Sequence, residues 1–303
     1  MEFSHYSVLL NECIDGLNIK PGGIYVDCTG GGGGHSSVIA EHLNGGKLIT
    51  IDRDPDAIKV LNERLSKFSC VQVVEANFSQ IDEVVSEPCD GILFDLGVSS
   101  YQLDNADRGF SYKREAPLDM RMSRSGLSAY DVVNTYSEDE LTRILFEYGE
   151  EKFARQIVKN IMKARQSSSI KTTTELAEII ANSLPSSARR AKNPSKKSFQ
   201  AIRIEVNKEL DSLSEGLEKA FSVLKSGGRM CVISFHSLED RLVKQRFASW
   251  CRGCTCPPEF PVCVCGNSPK AKLISKKPIL PTEEELIENS RSKSAKLRIL
   301  EKL

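Results

Sequence analysis

Three aspartates stand at the ends of short apolar runs: Asp27 in GIYVDC, Asp52 in KLITID and Asp95 in DGILFDLG. Between the first two runs lies TGGGGGHSS, five consecutive glycines followed by His35. Ionised carboxylates accept hydrogen bonds from hydroxyl and amine groups. A glycine run costs chain entropy and lets a ligand approach bare backbone. Together these residues suit a site that grips a nucleoside-like ligand and presents an acceptor to a second, reacting group.

The spacing narrows the ligand. The dinucleotide pattern G-x-G-x-x-G fails in every register, because from Gly30, Gly31 or Gly32 the third glycine position falls on His35, Ser36 or Ser37. The methyltransferase pattern D-x-G-x-G-x-G fits better: Asp27, Gly31 and Gly33 match, and Thr29 replaces the first glycine. A merely flexible glycine loop is the bland alternative. Asp52 lies roughly 20 residues beyond the turn, where an acid takes the ribose hydroxyls of a bound nucleoside. Its neighbour Asp54 is accounted for as a helix N-cap. Phe78, after the run CVQVVEA, either flanks an adenine or is a core phenylalanine. Asp95 is placed to hold an amine N–H and turn the nitrogen lone pair toward a methyl donor, or else it caps a turn. The amino-methyltransferase motif at this point is an Asp, Asn or Ser followed by two prolines and an aromatic. Here it reads Asp95-Leu96-Gly97-Val98, so the ring that stacks on the substrate is open among Phe110, Tyr112 and Phe235.

These groups need a scaffold. GIYVDC, KLITID (47–52), CVQVVEA (70–76) and DGILFDLG (90–97) read as strands, with DPDAIKVLNERLSKF as a helix capped by Asp54 with Pro55 at its first position. That alternation predicts a parallel sheet. From about Leu103 to Pro194 no strand is evident, and SEDELTRILFEYG, EEKFARQIVKNIMKAR and TTELAEIIANSL read as amphipathic helices. FQAIRIEVNKELDSLSEGLEKAFSVL carries apolar residues every three or four positions from Phe199 to Leu224, which predicts one long helix. RMCVISF is a fifth strand, and KSAKLRILEKL a last strand at the sheet edge. The expected organisation is a discontinuous α/β domain over 1–102 and 199–303 with an inserted helical substrate-recognition domain over 103–198.

Lys plus Arg number 41 and Asp plus Glu number 41, so partners must be read from local patches. Arg189, Arg190, Lys192, Lys196, Lys197 and Arg203 cluster with no acid nearby in the sequence, and DNADRGFSY (104–112) also mixes basic and aromatic residues. Both are candidate phosphate contacts or plain solvated surface. SFHSLEDRLVKQRF sets His236 at the end of the fifth strand, before a helix capped by Ser237 with Asp240 three residues on. His236 contacts substrate or is a buried hydrogen-bonding histidine.

Ten cysteines without a secretion signal or a membrane-length apolar run point to a reducing, cytoplasmic setting. CRGCTCPPEFPVCVCG holds two C-x-C pairs, Cys254/Cys256 and Cys263/Cys265. Four thiolates could make a tetrahedral zinc site, but the spacing is not the usual C-x-x-C pair; the alternative is a set of reduced thiols in a tight loop, and no metal is assigned.

SVLLNE, D-x-T-x-G-x-G-G-H (27–35), IDRDP, DLGVSSYQLD, RGFSY, PLDMRM (117–122), FQAIRIEVNKEL and ISFHSLEDR together resemble the MraW family, over nearly the whole chain and in order. The resemblance implies a class I S-adenosylmethionine-dependent methyltransferase (a Rossmann-like sheet with a helical insertion). It implies N4-methylation of a cytidine in the decoding region of bacterial 16S rRNA within the small ribosomal subunit, with no membrane or DNA partner. It places cofactor contacts on Gly33, Gly34, His35, Asp52, Phe78, Asp95 and Gln102. Gln102 rests on the resemblance alone, its alternative being a surface glutamine. The competing readings are a methyltransferase acting on another nucleic acid or a small amine, and a non-catalytic RNA-binding assembly factor.

Overall fold

A computed structural model of the chain describes residues 7–190, 193–257, 259, 260, 262 and 264–303. Lys192 and Cys263 therefore lie outside the described residues. The strands are β1 (Ile24–Asp27), β2 (Lys47–Asp52), β3 (Val71–Glu75), β4 (Cys89–Asp95), β5 (Leu224–Ser234), β6 (Ala271–Leu273) and β7 (Lys296–Lys302). They form one sheet in the order β3-β2-β1-β4-β5-β7-β6. The first five are parallel, while β7 runs antiparallel to both β5 and β6. This is the class I methyltransferase sheet.

Alternation along the strands builds two cores, one on each face. Val26, Ile49, Ile51, Ile92, Phe94 and Val232 pack on one side, and Tyr25, Leu48, Leu93, Cys231 and Ile233 on the other. Because β1, β2 and β4 are parallel, Asp27, Asp52 and Asp95 end their strands on the same edge of the sheet. The order reverses around β1, which gives a crevice at that edge.

The chain divides into two compact units, 1–97 with 210–303, and Val98–Glu209. The expected boundaries at 102/103 and 198/199 thus move to 97/98 and 209/210. The single long helix expected from Phe199 to Leu224 is also corrected. Helix Lys196–Asn207 ends at Lys208, which is left-handed (φ 48°), and a new helix runs Glu209–Val223. Lys208 Nζ lies 2.6 Å from Glu205 Oε1, and Arg203 grips Glu209 with two 2.8 Å bonds, so charged pairs bracket the break. β5 begins at Leu224, earlier than RMCVISF implies, and the short β6 has no counterpart in the sequence reading.

In the second unit, helices Ala129–Thr135, Glu138–Glu147, Ala154–Ser167, Thr173–Ser183 and Lys196–Asn207 enclose a core that includes Val133, Leu145, Ile157, Leu176 and Ile202. Buried Arg108 donates to the carbonyls of Arg121 (3.0 Å) and Met122 (2.9 Å). Asn207 accepts from Met122 N (2.9 Å) and donates to Met120 O (2.7 Å). RGFSY, PLDMRM and the end of FQAIRIEVN are therefore one interlocked structural device.

Candidate active site

The glycine turn is tied to the strands on both sides of β1. Asp52 Oδ2 accepts from Gly31 N (2.8 Å), and Oδ1 accepts from Asp54 N (2.9 Å). On the other side Thr29 Oγ1 accepts from Asp95 N (2.6 Å). Beneath the turn, buried Asp27 accepts from Thr29 N (3.1 Å) and Ser36 Oγ (2.6 Å), and Ser36 meets Thr50 Oγ1 at 3.0 Å. Asp27 is a pedestal for the turn. Thr29, read from sequence only as a substituted glycine, joins the turn to β4.

The five glycines have separate reasons. A Cβ on Gly30 would meet Thr50 Cγ2 at 2.5 Å and Leu61 Cδ1 at 2.6 Å, and one on Gly34 would collide with Ser7 Oγ. Gly31 (φ 51°) and Gly33 (φ 75°) sit in the left-handed region that favours glycine. Gly33 also lies against Leu61 and Arg64. Of the five, only at Gly32 would a Cβ find nothing within 4 Å among the described residues. Protein packing and φ thus account for four of the glycines, and Gly32 meets none of the described residues.

His35 and Asp95 face each other, with Nδ1 3.7 Å from Oδ2. His35 Nε2 lies 3.1 Å from Val8 O, a pure acceptor, so Nε2 carries the proton and Nδ1 turns a lone pair toward Asp95. Burial lowers the imidazole pKa to about 4. Burial, reinforced by Asp27, Glu239 and Glu285, raises the Asp95 carboxyl to about 8. Asp95 Oδ1 is buried and has no hydrogen-bond partner among the described residues, although the side chain as a whole is 26% exposed. An orphaned acceptor of this kind is costly unless a ligand donor completes it. Asp52 is raised to about 6, mainly by burial and partly offset by the amides of Asp54 and Gly31.

The other expected site residues divide. The Phe78 ring packs edge-on against Phe94 (centroids 5.6 Å apart) and beside Gly216, yet it stays half-buried. Gln102 is not a surface residue. It is 5% exposed in the second unit, and its Oε1 accepts from Ser99 N in a reciprocal helix cap. His236, not Ser237, caps the helix Ser237–Trp250, and its partner is Glu239, not Asp240. Asp240 instead binds Arg298 (2.7 Å) and Lys296 (3.1 Å). Among the candidate stacking rings, Phe110 is buried in the second unit's core, and Tyr112 packs edge-on against Phe199 there. Phe235 lies at the end of β5 beside Gly97, in the same unit as Asp95.

The basic cluster is smaller than expected. Arg203 is paired with Glu209, and Arg108 is buried with its guanidinium on backbone carbonyls. Arg189, Arg190, Lys196 and Lys197 are exposed. Arg189 and Lys197 use part of their donor capacity on the backbone carbonyls of Ala181, Asn182 and Glu150.

A model of the MraW methylase family matches residues 2–303. The chain belongs to the MraW methylase family. It is 55% identical over 309 residues to ribosomal RNA small subunit methyltransferase H of Clostridium botulinum (strain Kyoto / Type A2), with both chains covered in full. It is 56% identical over 311 residues to ribosomal RNA small subunit methyltransferase H 2 of Agathobacter rectalis, covering 100% of this chain and 99% of that one. A solved rRNA methylase from Streptococcus thermophilus aligns over 99% of each chain with 12% identity and a TM-score of 0.45.

This MraW methylase is an S-adenosylmethionine-dependent methyltransferase. Its crevice fits that donor. Gly32 leaves room against bare backbone, Asp52 keeps spare acceptor lone pairs beside the turn, and Asp95 offers an unmet acceptor one strand away. No helix among the described residues is long and apolar enough to cross a membrane.

Proposed function

We propose that this enzyme methylates the exocyclic N4 of a cytidine in the decoding region of 16S rRNA, acting on the small ribosomal subunit in the cytoplasm. Two observations support the reading. The full-length relatives carry the name ribosomal RNA small subunit methyltransferase H. The orphaned Asp95 Oδ1 at the end of β4 is an acceptor waiting for a donor such as an amine N–H.

Gly31, Gly32 and Gly33 would hold the donor against bare backbone, with Asp52 on its ribose and Phe78 beside its adenine. Gly34 and His35 act from beneath, through the packing of the turn and the placing of Asp95. The family resemblance alone adds Gln102 to the donor contacts. When bound, S-adenosylmethionine supplies an electrophilic methyl group on a cationic sulfonium.

The chain's own groups do the rest. A cytosine amine is conjugated with its ring and is a poor nucleophile. Asp95 Oδ1 accepts one N4–H and holds the nitrogen lone pair in line, a positioning effect. Positive charge near Asp95 favours its carboxylate form. A carboxylate whose proton affinity is raised by burial then takes the N4 proton after methyl transfer. Phe235, at the end of β5, is the ring assigned to stack on the cytosine. The base reaches the pocket unstacked from its neighbours. The inserted unit supplies RNA contacts through Arg189, Arg190, Lys196 and Lys197.

The deciding experiment transfers labelled methyl to purified small subunits, digests the RNA and identifies the nucleoside. Label on N4 of a single cytidine is expected. Label on another nucleic acid or a small amine, or no transfer beside tight RNA binding, would replace this reading.

A further inference from the structure

The loop from Cys251 to Lys270 joins helix Ser237–Trp250 to β6, and its described residues form no helix or strand. Its ends are firmly held. Trp250 stacks on Phe221 with ring centroids 4.1 Å apart, and Lys270 N donates to Trp250 O at 2.8 Å. Between those anchors most described side chains are exposed, including Phe260, Val262 and Val264. A loop of this length lacks an apolar core of its own and needs another staple to hold one shape.

Three thiols converge inside it. The Sγ atoms of Cys254, Cys256 and Cys265 all lie within 4.8 Å of one another, and Cys254 and Cys265 are 3.7 Å apart. Two thiolates sharing one zinc at about 2.3 Å with tetrahedral angles stand roughly 3.8 Å apart. A disulfide would need about 2.05 Å. Each sulfur also receives a backbone amide: Cys256 N on Cys254 (3.4 Å), Thr255 N on Cys265 (3.4 Å) and Val264 N on Cys256 (3.3 Å). Amides aimed at sulfur stabilise the thiolate that a metal requires. Asn267 Nδ2 braces the two arms of the loop through Gly253 O (2.7 Å) and Arg252 O (3.3 Å).

We propose that Cys254, Cys256 and Cys265 form a structural zinc site that fixes the loop between helix Ser237–Trp250 and β6. Three converging sulfurs exceed what a disulfide uses, and a soft thiolate set selects zinc over oxygen-loving cations. Among the described residues these three thiolates supply the ligands. Each thiol gives its proton to solvent as the metal binds, so binding weakens as pH falls. The site is distant in sequence from Asp52 and Asp95, and its proposed role is structural.

The test uses the full-length chain, purified without a metal-binding tag from zinc-replete cells. Elemental analysis should find about one zinc per chain. Cobalt(II) added to chelator-stripped protein should give a sulfur-to-cobalt charge-transfer band and a tetrahedral visible spectrum. Cys254→Ser and Cys265→Ser should each lose the zinc and the charge-transfer band, while Cys70→Ser, elsewhere in the same unit, keeps both. Circular dichroism and donor affinity report whether each variant folded. Should the serine variants misfold, the metal content and cobalt spectrum of the unaltered chain still decide. Zinc-free protein without a cobalt–thiolate band, or a Cys254–Cys265 disulfide in mass spectra, would overturn the site.

Discussion

His35 Nδ1 and Asp95 Oδ2 stand 3.7 Å apart with no hydrogen bond between them. They form a neutral pair at pH 7, because burial drives the imidazole down to about 4 and the carboxyl up to about 8. Without donor or substrate, both groups sit in the protonation state that burial dictates.

Asp95→Asn is accordingly expected to stabilise the ligand-free enzyme while impairing catalysis. A carboxyl raised in the folded state favours folding only while protonated, so its contribution falls as pH rises from about 4, its unfolded value, to about 8. The gain from Asn should be small near pH 4, grow with pH and level off above about 8, reaching at least about 1 kcal/mol at alkaline pH. Single-turnover methylation should fall by roughly 10² or more, as for loss of a proton-handling group. Thermal melts across pH, beside single-turnover rates on small subunits, check both parts. An unchanged rate would take the Asp95 carboxylate out of the mechanism.

His35 carries the opposite sign. Its folded pKa of about 4 lies below the unfolded value, so stability is lost as pH falls from about 6.5 through about 4. Replacing His35 with Gln should flatten that limb of the stability profile, which urea titrations at several pH values would show.

Asp52 links donor affinity to pH. Its ionised form has lone pairs for two ribose hydroxyls, and its pKa in the free protein is about 6. Donor affinity should hold steady above about 6 and fall as pH drops below it. Asp52→Ala should weaken binding by roughly 1.5–3 kcal/mol, as for hydrogen bonds to a charged group, and abolish that pH dependence. Isothermal calorimetry at several pH values measures both, and an unchanged dissociation constant for the variant would remove Asp52 from the site.

The glycine turn offers a paired test. Gly33→Val should destabilise the protein, because it forces a β-branched residue to φ 75° against Leu61 and Arg64. Gly32→Ala should leave the melting temperature almost unchanged, since its Cβ meets nothing. It should nevertheless lower donor affinity by at least about tenfold, about 1.4 kcal/mol. Normal affinity in a folded Gly32→Ala protein would show that the donor does not approach this backbone.

The exposed bases of the inserted unit should govern RNA binding alone. Changing Arg189, Arg190, Lys196 and Lys197 to Ala should weaken RNA binding. The slope of log affinity against log salt should shrink by up to about one unit for each phosphate no longer neutralised. Donor affinity should not move. A slope equal to the parent's would mark these residues as solvated surface.

The pattern of what could be read from sequence has physical causes. β1, β2 and β4 were legible because buried parallel strands are short β-branched runs, each closed here by an aspartate. The break at Lys208 was not, because lysine has no local preference for a left-handed turn and the apolar spacing continues across it. Missing that break also hid the Arg203–Glu209 pair, which forms only when the chain turns there. The glycine run announced a close approach of something to the backbone. It did not reveal that much of what approaches is the protein itself, through Thr50, Leu61, Arg64 and Ser7, since those neighbours are set by tertiary packing. His236 does stand at the expected strand end, but a histidine N-cap is uncommon and Ser237 carried the stronger local signal.

The separation of β4 from β5 by a whole unit bears on how the polypeptide is made. On the ribosome β1 to β4 emerge first, and the flank of β4 that will pair with β5 stays unpaired while Val98–Glu209 is translated. An open strand flank is a template for mispairing. The helical unit, rich in local contacts, can fold during that interval. The sheet closes only when β5 arrives, and β5 in turn waits for β7 at the carboxyl terminus, so a nascent chain halted before Lys296 holds Asp27, Asp52 and Asp95 on an unfinished sheet.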